Sequence, residues 1–529
     1  MYWLKQNRIQ IITLAILIAL SFPAVFSLFH QGFYQSDDGE WMIIRFSAFN
    51  QAFRDGQFPV RFLTRLNQGY GYPVANFLYP GFMYFGEIFH FLGLGFVDTI
   101  KAIMIISMIG SVIFTFLWLS KIFGKIESVV GAVFFLYLPY HLYDVYKRGS
   151  VGEVFALLFV PFILWMIEKG DVLFISVGIF LLMIAHNTLA LFFVPVLFIY
   201  SLFRKILPLK TIIVSFACGI LMSSFFTIPA ILELSYTIFS KTKISNIDNY
   251  FAPLPLVGSV SFIVLFSSIV LYIFSRYKLV KGQTYLKLFI FFSTLGIGSI
   301  LFSSDESVIF WQYMPSSFIQ FPFRLLSYLI LSLSFLSCYI VSFFSGKKKL
   351  LIAMILFGVL LLNSVSYIKP ALFFDKGESF YSTNEATTTV QNEYMPTWVK
   401  SVPLEHYKDK VELLNCSGII NNIIYNSRRI AFSSIGKDPL TVRINIIYYP
   451  GWVAYVDDKN VDISYKNDYG VMDVTIPQGN HNFTIFFSET PLRLFADMIS
   501  IAALLILLVL VKKSYHVRTS KKQLLEDID

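Results

Sequence analysis

Three carboxylates lie within four positions in the segment Ser36-Asp37-Asp38-Gly39-Glu40. Adjacent carboxylates with a third two places on can hold a divalent cation, and one of them can act as a general base. The same residues also suit a helix start. Ser36 or Asp37 can cap an amphipathic helix, with acids favoured by its dipole. That helix would carry Met42, Phe46, Phe49 and Phe53 on one face and stop at Gly56. The two uses are compatible, because a capped start fixes the carboxylates in place. Further along, His141, Asp144, Arg148, Glu153, His186, Glu233 and Arg324 each stand in or beside an apolar run. Ionisable groups at such positions are costly to desolvate and are functional candidates. The competing role is snorkelling at an interface or, for Arg148 and Glu153, mutual neutralisation across a loop.

The elements that must position these groups follow from composition. Of 529 residues, 56% are hydrophobic and only 14% charged, against about 25% charged in a soluble domain. The net charge of +9 does not describe a nucleic-acid groove, because 42 basic residues are diluted among 57 Phe and 30 Tyr. Cys218 and Cys338 sit in apolar runs and Cys416 has no partner in its polar region, which excludes a disulfide scaffold. Apolar windows of about 20 residues predict a polytopic α-helical membrane protein with about 12 spans. They fall at 10–29, 99–120, 127–143, 152–167, 172–186, 189–203, 211–233, 256–275, 286–303, 321–345, 350–367 and 492–511. The stretch 77–94 carries Pro80, Gly86, Glu87 and His90 and reads as a helix lying on the membrane. The first span resembles a signal peptide but no small-residue cleavage site follows, so a retained anchor is expected.

Basic residues in short loops set the expected orientation. Lys5 and Arg8, Lys121 and Lys125, Lys169, Arg204 to Lys210, Arg276, Lys278, Lys281 and Lys287, Lys347 to Lys349, and the tail from Lys512 would be cytoplasmic. Both termini are then inside. The expected division is a multi-span domain over 1–367 with a first outer loop at 30–98, an extracytoplasmic domain over 368–490, and a last span with a basic tail over 491–529. The outer domain alternates over Thr441–Tyr449, Trp452–Val456, Val461–Tyr465, Val471–Ile476 and Asn482–Ser488. Turn-forming runs separate these, which predicts a β-sandwich-like fold.

On this topology every ionisable residue associated with a span falls at the outer leaflet and none at mid-span. A secondary transporter needs coupling groups near the midplane. An enzyme that takes a lipid-linked substrate at the outer surface needs them at the outer mouth.

A set of motifs, in order over nearly the whole chain, resembles the membrane domain of 6-pyruvoyl-tetrahydropterin synthase-related proteins and the YfhO-like membrane proteins. They are Asp38-Gly39, Arg54-Asp55-Gly56-Gln57-Phe58-Pro59-Val60-Arg61, Gly69-Tyr70-Gly71-Tyr72-Pro73, Leu138-Pro139-Tyr140, Tyr146-Lys147-Arg148-Gly149, Glu153 and Ala185-His186-Asn187. Gln320-Phe321-Pro322-Phe323-Arg324, Glu393-Tyr394-Met395-Pro396 and Tyr448-Tyr449-Pro450-Gly451-Trp452 complete it. More broadly, the layout resembles the GT-C class of integral-membrane glycosyltransferases, which use polyprenyl-phosphate sugars and a first-loop Asp or Glu. Relatives tend to carry His around that Asp, whereas here Asp37 precedes Asp38 and Glu40-Trp41-Met42 follows. No clustered His triad for zinc is present, so pterin chemistry is not implied.

The resemblance implies glycosyl transfer from a polyprenyl-phosphate sugar to a cell-envelope glycan, lipid or protein at the outer face of a prokaryotic cytoplasmic membrane. Asp38, with Asp37 as partner or substitute, would be catalytic. Arg148, Glu153, His186, Arg324 and His141 would bind substrate, and Asp37, Asp38 and Glu40 are the ligands for a divalent cation if one is used. Membrane lipids are partners and nucleic acid is not. Alternatives are a flippase or exporter of lipid-linked glycans, and a non-enzymatic envelope scaffold. Tyr448, Tyr449, Trp452 and Tyr455 can stack on sugars, but alternation along strands makes most of them packing residues.

Overall fold

Long apolar runs become helices because a chain out of water must bond its own backbone. The computed structural model describes residues 2–526 except 242–246, 276–282, 314–318 and 416–417. Arg276, Lys278, Lys281 and Cys416 therefore lie outside the described residues. Among the described residues, eight helices are long and apolar enough to cross a membrane: Gln10–Phe29, Phe96–Leu119, Val151–Lys169, Asn187–Arg204, Tyr285–Ser303, Pro322–Val341, Gly346–Tyr367 and Pro491–Lys512. Two bent pairs raise the number to ten, Lys125–Tyr137 with Pro139–Arg148 at 41° and Leu209–Met222 with Ser224–Tyr236 at 67°. The first bend has a local cause. Leu138 precedes Pro139 and is extended, with φ −58° and ψ 137°, because the proline ring disfavours the helical conformation before it. Two further expected spans, 172–186 and 256–275, are the shorter apolar helices Val172–Ala185 and Ser259–Phe274.

In chain order the elements that frame the site begin with α1 (Tyr2–Val25), α2 (Gly39–Arg54), α3 (Gly81–Phe91) and α4 (Phe96–Leu119). They continue with α5 (Lys125–Tyr137), α6 (Pro139–Tyr143), α7 (Val151–Lys169), α8 (Val172–Ala185) and α9 (Asn187–Arg204). The stretch expected to lie on the membrane folds as α3, whose 11 residues reach only about 16 Å at 1.5 Å per residue. Helix α2 buries Met42, Phe46 and Phe49 and ends at Arg54, with Gly56 just beyond it at φ 85°.

The β-rich region between Val411 and Phe487 holds two antiparallel sheets among the described residues. Strands β4 (Gly418–Tyr425), β5 (Arg429–Gly436), β10 (Gly479–Phe487), β7 (Trp452–Val456) and β8 (Lys459–Val461) make one, in that spatial order. The other has β3 (Val411–Leu413), β6 (Leu440–Ile447) and β9 (Val471–Ile476), with β6 central. Alternate burial in β7, where Trp452, Ala454 and Val456 point inward, is the pattern of a half-solvated sheet. The strand expected at Val461–Tyr465 is displaced: β8 ends at Val461, and only Ser464 bridges onward, to Asp473. Strands β3, β4 and β5 precede the region where alternation was expected. A small pair, β1 (Phe33–Tyr34) with β2 (Phe373–Phe374), ties the first loop to the chain beyond residue 367.

Candidate active site

The site starts where α2 meets the turn after α6. Residues Asp144–Arg148 form a π-type turn that ends at Gly149 with φ 65°. Two backbone bonds lace this turn to the start of α2: Asp37 N–H donates to Lys147 O at 3.0 Å and Asp38 N–H to Arg148 O at 2.7 Å. Only glycine fits at 149, since a Cβ would stand 2.8 Å from Gly39 N and 2.9 Å from Gly39 Cα. The expected cap is corrected in one respect. Asp38 occupies the N-cap position and its carboxylate makes no capping bond, while Ser36 Oγ accepts from Gly39 N–H at 3.2 Å. The hydroxyl does the local work of the carboxylate, and Asp38 is left to face the interior.

Arg148 faces Asp38. Its Nη1 donates to Asp144 Oδ1 at 2.5 Å and Glu153 Oε1 at 2.6 Å. Glu153 begins α7 and is fully buried; it also accepts from Arg324 Nε at 2.8 Å and from Tyr140 OH at 3.2 Å. Arg324 enters from the turn Pro322–Leu325, with its other donors on Gln320 Oε1 and Ile319 O. The rings of Phe321 and Phe323 cover Arg148 at 5.7 and 5.1 Å from its guanidinium carbon. Two buried arginines and two buried carboxylates therefore balance one another. Asp38 stands outside that balance, 3.8 Å from Arg148 Nη2, a buried nitrogen with no hydrogen-bond partner among the described residues. At this range and a surface-like effective dielectric the attraction is at most about 4 kcal/mol, and solvent screening reduces it. The Asp38 side chain keeps 39% exposure yet is ringed by protein. Loss of water raises its carboxyl above the ordinary aspartate range, against the opposing pull of Arg148, then Arg324 and Arg45.

His186 caps α9, its Nδ1 accepting from Leu189 N–H at 3.2 Å. That bond assigns the proton to Nε2, which lies 3.7 Å from Glu153, too far for a hydrogen bond. Tyr79 packs on the His186 ring with centroids 4.4 Å apart, and Gly152 admits it: a Cβ there would sit 2.0 Å from the tyrosine ring. Asp38, Arg148, Glu153, His186 and Arg324, from five separate places in the chain, are thus brought together. Asp37 turns aside to Lys147 Nζ at 3.1 Å.

Two expectations need correction. His141 does not join the group. It is buried with Nδ1 on Phe135 O at 2.9 Å and its ring edge-on to Phe135, because α6 turns it back toward α5. The possible cation ligands Asp37, Asp38 and Glu40 also diverge. Glu40 lies one helical step on and pairs with Lys376 at 2.9 Å and with Tyr381. Among the described residues no three His, Cys, Asp or Glu side chains converge as metal ligands.

Arg45 was not anticipated. It is 2% exposed, donates to Thr388 O at 2.7 Å and Thr388 Oγ1 at 3.3 Å, and has no carboxylate within 4.0 Å among the described residues. Burial lowers its pKa, while Tyr79, Tyr394 and Asp38 favour its charge. Its spacing of seven from Asp38, two turns along one helix face, was the available signal.

No family model matches the chain, and no curated protein matches it. Among solved structures, it is similar to the arabinofuranosyltransferase AftD from Mycobacteria, at 12% identity and TM-score 0.44, over 71% of this chain and 28% of that one. It is also similar to the oligosaccharyltransferase of Archaeoglobus fulgidus tethered to an acceptor peptide, at 14% identity and TM-score 0.45, over 77% and 62% of the two chains. The apo form of that oligosaccharyltransferase gives 11% identity and TM-score 0.45, over 75% and 62%. The chain thus spans less than two thirds of the length of each of these structures. With scores this low, function has to be read from the site itself.

Proposed function

We propose that the protein is a multi-pass membrane glycosyltransferase of the GT-C type, resembling the YfhO-like and pterin-synthase-related membrane proteins. On this reading it transfers a sugar from a polyprenyl-phosphate donor to a cell-envelope acceptor at the outer face of a prokaryotic cytoplasmic membrane. The observation that carries the proposal is the unspent pair at the site: a solvent-reaching Asp38 facing a buried arginine nitrogen that nothing else among the described residues holds.

In the transfer, Asp38 accepts the proton of the acceptor hydroxyl as its oxygen bonds to the anomeric carbon. The bond from that carbon to the donor phosphate oxygen breaks, and the phosphate leaves on the opposite face, which inverts the centre. Protonation of Asp38 removes the negative charge beside Arg148. The free Nη2 edge can then donate to the departing phosphate, and a guanidinium suits that role. Glu153 fixes Arg148 and Arg324 relative to one another, and His186 closes the group behind Glu153.

The test is transfer of a labelled sugar from a polyprenyl-phosphate donor in membranes. Asp38→Asn should reduce transfer by at least about a hundredfold, the usual contribution of a general base, with the protein still inserted. Full transfer by Asp38→Asn would end the proposal, and loss confined to Asp37→Asn would move the base by one residue. Movement of the lipid across vesicles with its sugar–phosphate bond intact would favour a flippase instead.

A further inference from the structure

One cleft lies away from this site. It has a volume of about 520 Å³ and opens between the end of α2 and the solvent face of the five-stranded sheet. Tyr455 of β7 and Phe486 of β10 supply its floor, with rings 5.6 Å apart and inclined by only 3°. Strand register explains the platform. Tyr455 pairs with Thr484 and Phe486 with Arg429, so all four side chains stand on one face. The opposite face, with Ile430, Phe483 and Ile485, is core.

Around this platform stand Arg428 and Arg429, Asp55 and Asp458. Among the described residues neither arginine has a carboxylate within 4.0 Å. Arg428 holds Gly56 O at 2.9 Å and so ties the cleft to α2, while Arg429 reaches only Thr484 Oγ1 at 3.5 Å. Two cations and two anions cancel, which makes the cleft a poor trap for phosphate or nucleic acid. Planar donors and planar acceptors beside a half-buried aromatic pair that lines the cleft suit a different ligand. It would carry vicinal hydroxyls, each both donor and acceptor, and a ring with an apolar C–H face.

We propose that this cleft binds a saccharide. Resting on the transfer reading, it holds part of a glycan acceptor whose reacting end lies at Asp38. Helix α2, 16 residues long and so about 24 Å, sets the distance, with Asp38 at one end and Asp55 at the other.

The experiment uses full-length protein in detergent and, as probe, oligosaccharides released by mild acid from the producing cells' envelope and labelled at the reducing end. Fluorescence polarisation should show binding to wild type, and Asp38→Asn should keep most of it, because the platform lies at the far end of α2. Tyr455→Ala and Arg429→Ala should each weaken it by about tenfold, the scale of one lost aromatic contact or one charged donor, while Tyr455→Phe stays near wild type. Both residues are on the solvent face, so their loss leaves the core intact. No binding by wild type, or binding indifferent to Tyr455 and Arg429, would overturn the proposal. So would binding lost in Asp38→Asn, since that places the glycan at the transfer site alone. Binding that persists while wild type transfers no sugar would overturn the transfer reading and leave this one standing.

Discussion

On the proposed transfer, Asp38 must stay ionised until an acceptor arrives and then take a proton, and its surroundings pull both ways. Loss of water raises its pKa, while Arg148, Arg324 and Arg45 lower it, in that order. The net direction is upward, so the ionised fraction is lost as pH falls through a value above the ordinary aspartate pKa of about 3.9. The acid limb of the transfer rate should lie above that value. Arg45→Gln removes one of the cations that oppose the shift and should move the limb further up; an unchanged limb would mean that Arg45 does not act on Asp38. Stability carries the same sign. A raised folded pKa means the native state holds its proton longer than the unfolded chain, so ionised Asp38 costs stability at neutral pH. Asp38→Asn should therefore melt at or above the wild-type temperature, Asn being also a good N-cap residue, while transfer is lost. A lower melting temperature would show that the carboxylate serves the fold rather than the chemistry.

Among the elements, the lacing of α2 to the turn 144–149 decides whether Asp38 meets Arg148. Gly149→Ala places a left-handed alanine against backbone at Gly39. That costs about 1–2 kcal/mol for the conformation alone, and the contact can be relieved only by pushing the start of α2 away. Transfer should fall at least tenfold while membrane insertion persists; wild-type transfer would show that this register is not needed. This is also where the sequence stops being sufficient. Arg148, Glu153, His186 and Arg324 were visible as candidates because an ionisable residue beside an apolar run is expensive and stands out. That Arg148, Arg324 and His186 gather around Glu153 was not visible, because it depends on how helix ends from distant parts of the chain meet. His141 stood out for the same reason and proved to be packing against Phe135. Arg45 escaped notice inside an amphipathic helix, where an arginine reads as the solvated face. Strand β4 escaped because most of its residues are solvent-exposed, which leaves no alternation to read. Trp452–Val456 and Val471–Ile476, each with an inward face, were placed to the residue.

At the scale of the whole molecule, a second buried ionic group holds the β-rich region and the last helix against the rest. Glu233, in the last turn of the bent pair that ends at Tyr236, accepts from Arg493 Nε at 2.9 Å and Nη2 at 2.8 Å. Asn76, before α3, and Tyr449, between β6 and β7, donate to the same carboxylate, at 2.7 and 2.9 Å. Arg61 adds a neighbouring clasp to Glu489 at 3.1 Å and to Asp497 at 3.3 Å. Four distant parts of the chain thus share one fully desolvated charge pair, which makes Glu233 a fastening point rather than a catalytic group. Removing one partner strands the other, at a cost of about 3–5 kcal/mol, whereas removing both costs far less. In detergent, Glu233→Gln and Arg493→Met should each lower the melting temperature markedly. The double variant should melt well above the sum of the two losses, giving a coupling of about 3 kcal/mol or more, the upper end for contacting residues. Transfer by the surviving double variant should recover with its stability, because neither residue touches the site at Asp38. Additive losses would mean that the pair does not hold the two halves together, and transfer still absent from a stable double variant would mean that the acceptor path runs through Glu233.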